Sequence, residues 1–210
     1  MRISVFGATG NVGRRVVTEA VSRGHEVTGV ALNAAAFADL PPGVDGRVGD
    51  ATDLDAVLPL ITGRDLVITS TCPTPGNEHE LVTVAHTLLT ACAKTGTRLL
   101  LVGGAGSLTV EDGGILMNEV GYPSYLRPIA LACIDQLAAC RADTVVDWAY
   151  LSPAKLLVPG ERTGRYRIGG DELLVDADGD SRISLEDLAV ALLDEAERPR
   201  HHRMRFTVAY

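Results

Sequence analysis

The chain has 210 residues, 46% of them hydrophobic and 22% charged, enough apolar side chains for the large core of one α/β domain. A formal charge of −8 and only 4% aromatic residues exclude a nucleic-acid partner, which would call for basic patches and stacking platforms. No apolar run approaches the ~20 residues of a membrane-spanning helix. Met1 leads straight into a strand rather than a signal peptide. Cys72, Cys92, Cys133 and Cys140 form no CxxC pair. These features predict a cytoplasmic protein with free thiols, a monomer or homodimer, with a small-molecule substrate and no membrane partner.

Strand and helix signals alternate along the chain. A first strand is predicted over Ile3–Phe6 and a helix from Asn11 to Arg23, then strands over Glu26–Leu32 and Val44–Val48. Thr52-Asp53 offers capping oxygens to a helix over Leu54–Ile61. A fourth strand follows over Asp65–Ser70, a helix over Glu78–Lys94 stopped by Gly96, and a fifth strand over Arg98–Val102. A glycine-rich loop leads to a helix near Tyr125–Arg141 and a sixth strand over Val145–Leu151. The remainder reads as a strand at Glu172–Val175, a helix at Leu185–Glu197 and a last strand at Arg205–Ala209. Such alternation predicts a Rossmann-like, doubly wound parallel sheet across residues 1–210 as one domain. Residues 151–210 are expected to form a small substrate-side cap region.

The most informative stretch is Val5-Phe6-Gly7-Ala8-Thr9-Gly10-Asn11-Val12-Gly13-Arg14. A strand, a glycine turn and a helix in this order suit a dinucleotide. Gly7 permits the tight turn, Gly10 lets backbone approach a pyrophosphate, and Gly13 allows close helix packing. The free amides at the helix start would receive the phosphates.

The sequence resembles the atypical short-chain dehydrogenase/reductases, in particular the NmrA-like NAD(P)-binding group that includes NADH-flavin reductases. The residues that carry the resemblance are FGATGNVG from Phe6, Val48-Gly49-Asp50, Leu101 to Ser107, Leu151-Ser152-Pro153-Ala154, Pro159 to Gly164, and Ser181 to Ala189. It runs from Met1 to Tyr210. It implies a Rossmann-like fold and a nicotinamide cofactor, with Asp50 on the adenine amino group and Ala51 beside it. Ser70, Thr71 and Cys72 would line the ribose and nicotinamide side. Asn33, Gly103 and Pro153 complete the expected cofactor contacts.

After the second strand an acid would bind the 2′-hydroxyl of NAD, and an arginine would accommodate the 2′-phosphate of NADP. Ala31-Leu32-Asn33-Ala34 offers neither. Arg14 and, less directly, Arg15 are within reach of a 2′-phosphate or else are solvated helix charges; the missing acid removes repulsion against that phosphate, so NADP(H) is slightly favoured over NAD(H).

The only lysines are Lys94 and Lys155, and the residues four before them are Thr90 and Leu151. No Tyr-x-x-x-Lys pair exists, which argues against carbonyl reduction by a tyrosine acid. Flavin reduction tolerates that lack, because the protein need only stack and orient two rings. The expected activity is therefore NAD(P)H-dependent hydride transfer to FMN, FAD or a similar planar acceptor. A non-catalytic cofactor sensor and a non-redox isomerase or dehydratase are the alternatives. Ser107 and Lys155 are the catalytic candidates. Arg162, Arg165, Tyr166 and Arg167 are either anion contacts for a substrate or surface residues beside Asp171-Glu172. Asp176 to Asp187 imitates a calcium loop but carries Ser181 where that loop needs glycine, so a turn followed by a Ser184 helix cap is expected instead. No metal site is expected.

Overall fold

The computed structural model describes residues 1–210. The chain opens with β1 (Arg2–Phe6), α1 (Asn11–Ser22), β2 (Glu26–Ala31) and β3 (Asp45–Val48). It continues through α2 (Leu54–Ile61), β4 (Leu66–Thr69), α3 (Glu80–Thr95), β5 (Arg98–Val102), α4 (Arg127–Ala142) and β6 (Trp148–Pro153). Three short strands follow, β7 (Leu156–Val158), β8 (Arg167–Gly169) and β9 (Arg182–Ser184), then α5 (Leu185–Glu197) and β10 (Met204–Ala209). The central sheet has the order β3-β2-β1-β4-β5-β6-β10-β8, parallel except for β8 against β10. The expected doubly wound parallel sheet is thus present. No helix is long and apolar enough to cross a membrane.

Each central strand is apolar on both faces because helices cover both. Ile3 and Val5 face α1 and α5, joined there by Val16, Val17, Ala20, Leu188 and Leu192. Phe6, Val67, Leu99 and Trp148 face the layer of α2, α3 and α4 with Val57, Leu88 and Leu137. Two of the helix starts, those of α2 and α5, carry side-chain caps. Asp53 accepts from the amides of Asp55 and Ala56, and Ser184 accepts from the Asp187 amide at 2.9 Å.

Two expectations need correction. No strand forms over Glu172–Val175. Glu172 makes only an isolated bridge to Thr109, and β8 takes the place beside β10. The sixth strand begins at Trp148 rather than Val145, because the Asp143 carboxylate accepts from the amides of Val145 and Val146 and holds them in a turn. The C-terminal stretch is also divided. α5 packs on α1 and β10 on β6, so both belong to the central layers. Residues 154–184 hold β8, at the edge of the central sheet, and β7 paired with β9 in a separate two-stranded sheet.

The N-terminal end of the sheet is fastened by Arg98. Its guanidinium donates to Asp147 at 3.1 Å, to Glu195 at 2.7 Å and to the His201 carbonyl at 2.8 Å. His201 bonds Glu195 in turn and stacks on Phe206 with ring centroids 4.3 Å apart. Burial raises the Glu195 carboxyl, but hydrogen bonds from Arg98, His201 and two backbone amides outweigh it and leave the group below its ordinary 4.5. A carboxyl depressed in the folded state stabilises fully above its unfolded value, and that contribution is lost as pH falls through the folded value. The melting temperature should therefore hold steady from pH 7 to 5 and fall below about 4.5, as read by thermal unfolding across pH. Glu195→Gln should cost about 3 kcal/mol at neutral pH and flatten that acid limb.

Candidate cofactor-binding site

The sheet reverses its direction of growth at β1, which is followed by β2 on one side and flanked by β4 on the other. Ligands of open α/β sheets bind outside the carboxyl ends of the strands at such a switch point. A cavity of about 490 Å³ opens there.

Its floor is the glycine loop. Gly7 has φ +76°, and its amide and that of Ala8 both donate to the Val30 carbonyl, at 3.1 and 3.2 Å. A Cβ on Gly7 would sit 2.8 Å from the Ser70 carbonyl oxygen, and one on Gly13 would sit 2.0 Å from the Gly7 oxygen. Both glycines are thus required by close backbone packing. Gly10 is the N-cap of α1 and supplies no side-chain cap. The amides of Thr9, Asn11, Val12 and Gly13 donate to no group in the protein. Unpaired amides at the positive end of a helix dipole are a ready anion site.

The far end of the cavity has a different chemistry. Asp50 Oδ1 accepts from the Thr52 amide at 2.8 Å and the Thr52 hydroxyl at 2.7 Å. Oδ2 has no protein partner, and the neighbouring Ala51 amide donates to nothing. An adenine edge presents an amino donor beside a ring-nitrogen acceptor, and this acceptor–donor pair matches it. The residues therefore fit a dinucleotide: free amides for a pyrophosphate and an Asp50–Ala51 edge for adenine.

Gly7, Thr9, Gly10, Asn11 and Val12 line this cavity, with Asn33, Asp50, Ala51, Ser70, Thr71 and Cys72. The other expected contacts lie outside the wall. Ala8 is fully buried in the core, and Gly13 backs onto Gly7. Arg14 reaches back to the Thr9 carbonyl at 3.0 Å. Gly103 sits over the buried Tyr150 hydroxyl, where a Cβ would come within 1.9 Å, and Pro153 is buried at the end of β6.

Neither expected catalytic residue reaches the wall. Ser107 accepts from Arg205 through its hydroxyl at 2.8 Å and through its carbonyl at 3.2 Å, while Asp171 pairs with the same guanidinium. Lys155 is exposed, with its backbone amide on Ser181. The substrate-side arginines are likewise occupied elsewhere. Arg162 grips Glu19 through two 2.7 Å bonds, and Arg167 holds the carbonyls of Val175 and Tyr210. Tyr166 donates to Asp194 at 2.6 Å. They fasten residues 160–167 to α1, α5 and the C-terminus, and Arg165 stays exposed. The Asp176 carboxylate accepts from the amides of Asp178 and Asp180, a turn as expected.

Wall residues with no sequence signal are Ala36, Pro73, Glu80 and Val84. Val84 and Glu80 come from α3, which is tied to the Asp50 loop where the Thr87 hydroxyl donates to the Thr52 carbonyl at 3.2 Å. Burial pushes the thiols of Cys92, Cys133 and Cys140 up to about 12, so they are inert. Cys72 is the exposed one.

The profile of the NAD(P)H-binding family matches residues 7–199. The chain belongs to that family. The Bacillus subtilis (strain 168) protein YwnB is 37% identical to this NAD(P)H-binding chain over 213 aligned positions, covering 99% of it and 98% of YwnB. Among solved structures, one from Bacteroides thetaiotaomicron described as a candidate epimerase is 37% identical with a TM-score of 0.92, covering 100% and 96% of the two chains. One from Streptococcus pneumoniae described as a candidate NADH-flavin reductase is 31% identical with a TM-score of 0.89, covering 100% and 99%.

Proposed function

We propose that the protein is a nicotinamide-dependent reductase that passes hydride to a flavin or a similar planar acceptor. The observation that carries this reading is the cavity at the switch point, with the unpaired amides of Thr9, Asn11 and Val12 at one end and the Asp50–Ala51 edge at the other. A reduced nicotinamide bound there supplies the hydride. The chain's part would be to hold the two phosphates on the amides of Thr9, Asn11 and Val12 and the adenine on Asp50. With both ends held, the nicotinamide would be positioned within the same cavity beside Ser70, Thr71 and Cys72, a positional contribution.

The lack of a placed acid supports a planar, self-protonating acceptor. No Tyr-x-x-x-Lys pair exists, Ser107 is engaged by Arg205, and Lys155 stands outside the wall. A flavin takes its proton from water and asks for no such group. The similarity to a candidate NADH-flavin reductase supports the same acceptor class.

The decisive experiment measures initial rates of NADH and NADPH oxidation with and without free FMN, together with calorimetric binding of both cofactors. Flavin-dependent oxidation establishes the reductase. Tight binding without oxidation favours a cofactor sensor, or a non-redox enzyme in keeping with the epimerase description of the Bacteroides relative.

A further inference from the structure

NADP(H) differs from NAD(H) by a phosphate on the adenosine 2′ position, and the turn after the second strand is what meets it. Here that turn is neutral and largely apolar. Leu32 follows β2 directly and lines the cavity while staying 74% exposed. Ala36, from the 3₁₀ turn Ala34–Asp39, adds a second apolar wall residue. Between them Asn33 is pinned, its Oδ1 accepting from the Ala35 amide at 2.9 Å, which leaves Nδ2 as a free neutral donor.

The charge of the wall points the same way. Its only acidic or basic residues are Asp50 and Glu80, both carboxylates, and it contains no lysine, arginine or histidine. The basic residues nearby are otherwise engaged. Arg14 donates to the Thr9 carbonyl from outside the wall, and Arg47 on β3 turns its Nε onto Asp45 at 3.0 Å.

We infer, building on the nicotinamide reading, that the site takes NAD(H) in preference to NADP(H), with Leu32 as the residue that sets this choice. It reverses the slight NADP(H) preference that the missing acid after β2, with Arg14 and Arg15 nearby, suggests from the sequence. A 2′-phosphate would surrender its hydration against Leu32 and Ala36 with no cation in return. The carboxylates of Asp50 and Glu80 would add like charge to the same cavity. A 2′-hydroxyl loses little there and can accept from Asn33 Nδ2.

The test is calorimetric titration of the full chain with NADH and NADPH, for the wild type, Leu32→Arg and Arg14→Ala. Leu32 is a surface side chain, so its replacement leaves the core untouched. The wild type should bind NADH at least about tenfold more tightly than NADPH. Leu32→Arg should raise NADPH affinity about tenfold while moving NADH little, because it restores one charge-assisted contact. Arg14→Ala should change both cofactors alike. Equal or tighter NADPH binding by the wild type overturns the inference, as does Leu32→Arg with no gain for NADPH, or a selective NADPH loss in Arg14→Ala. Binding of neither cofactor overturns the nicotinamide reading itself.

Discussion

Gly10→Asp should abolish cofactor binding and leave the fold intact or slightly firmer. Gly10 has φ −72°, open to any residue, and a Cβ there meets only the Gly7 oxygen, at 3.3 Å. Aspartate is also a better N-cap than glycine, by a few tenths of a kcal/mol. The same carboxylate would stand where a pyrophosphate approaches the free amides of α1. At an effective dielectric of ~20, one unit charge about 5 Å from another costs roughly 3 kcal/mol. That corresponds to at least about a hundredfold in affinity. Paired titrations and melting curves separate the two effects. Retained affinity in a folded variant would sink the site.

Gly13→Ala should fail in the opposite way, through the fold. Its Cβ would lie 2.0 Å from the Gly7 oxygen, 2.7 Å from the Gly7 carbon and 2.9 Å from the Ala8 Cα, all of them backbone. Alanine gains about 1 kcal/mol of helix propensity over glycine. The clash is the larger effect, because backbone atoms can yield only if α1 moves off β1, and overpacking of this kind costs about 3 kcal/mol. The net loss of about 2 kcal/mol should lower the melting temperature by roughly 4–8 °C, and cofactor affinity should fall with it, since the displaced turn carries the amides. An unchanged melting temperature would show that the helix has slack the geometry does not predict. Gly10→Ala, with its single 3.3 Å contact, is the matched control and should lose no more than about 1 kcal/mol, from the poorer N-cap alone.

Elements with strong local signals are legible in the residues alone. The helices Leu54–Ile61 and Leu185–Glu197 and the strand Arg98–Val102 occur with the expected bounds. Each helix has a capping oxygen, Asp53 or Ser184, and the strand has the apolar run Leu99–Val102 shortly after Gly96. The three-residue strands β7, β8 and β9 escape such a reading because three residues hold too little periodicity to register. The strand expected at Glu172–Val175 shows the converse. Its apolar residues suit a strand, but β8 already occupies the free edge of β10.

The site divides along the same line. The glycine loop, Asp50 and Ser70-Thr71-Cys72 follow the carboxyl ends of the parallel strands β1, β3 and β4, so the alternation of strands and helices alone places them at the mouth of the sheet. Glu80 and Val84 reach the wall only because α3 packs against the Asp50 loop, an association that no short window of sequence encodes. The engagement of Ser107 joins residues 98 apart, through a β10 whose place beside β6 is a matter of sheet order. Arg162 likewise suggested an anion contact until Glu19, 143 residues away, claimed its guanidinium. Local sterics and hydrogen-bond counting dictate the fold class, the glycine turn and the free amides, so a run of neighbouring residues is enough to specify them. Which charges remain available to a ligand is a matter of long-range packing, because each depends on a partner brought in from a distant segment.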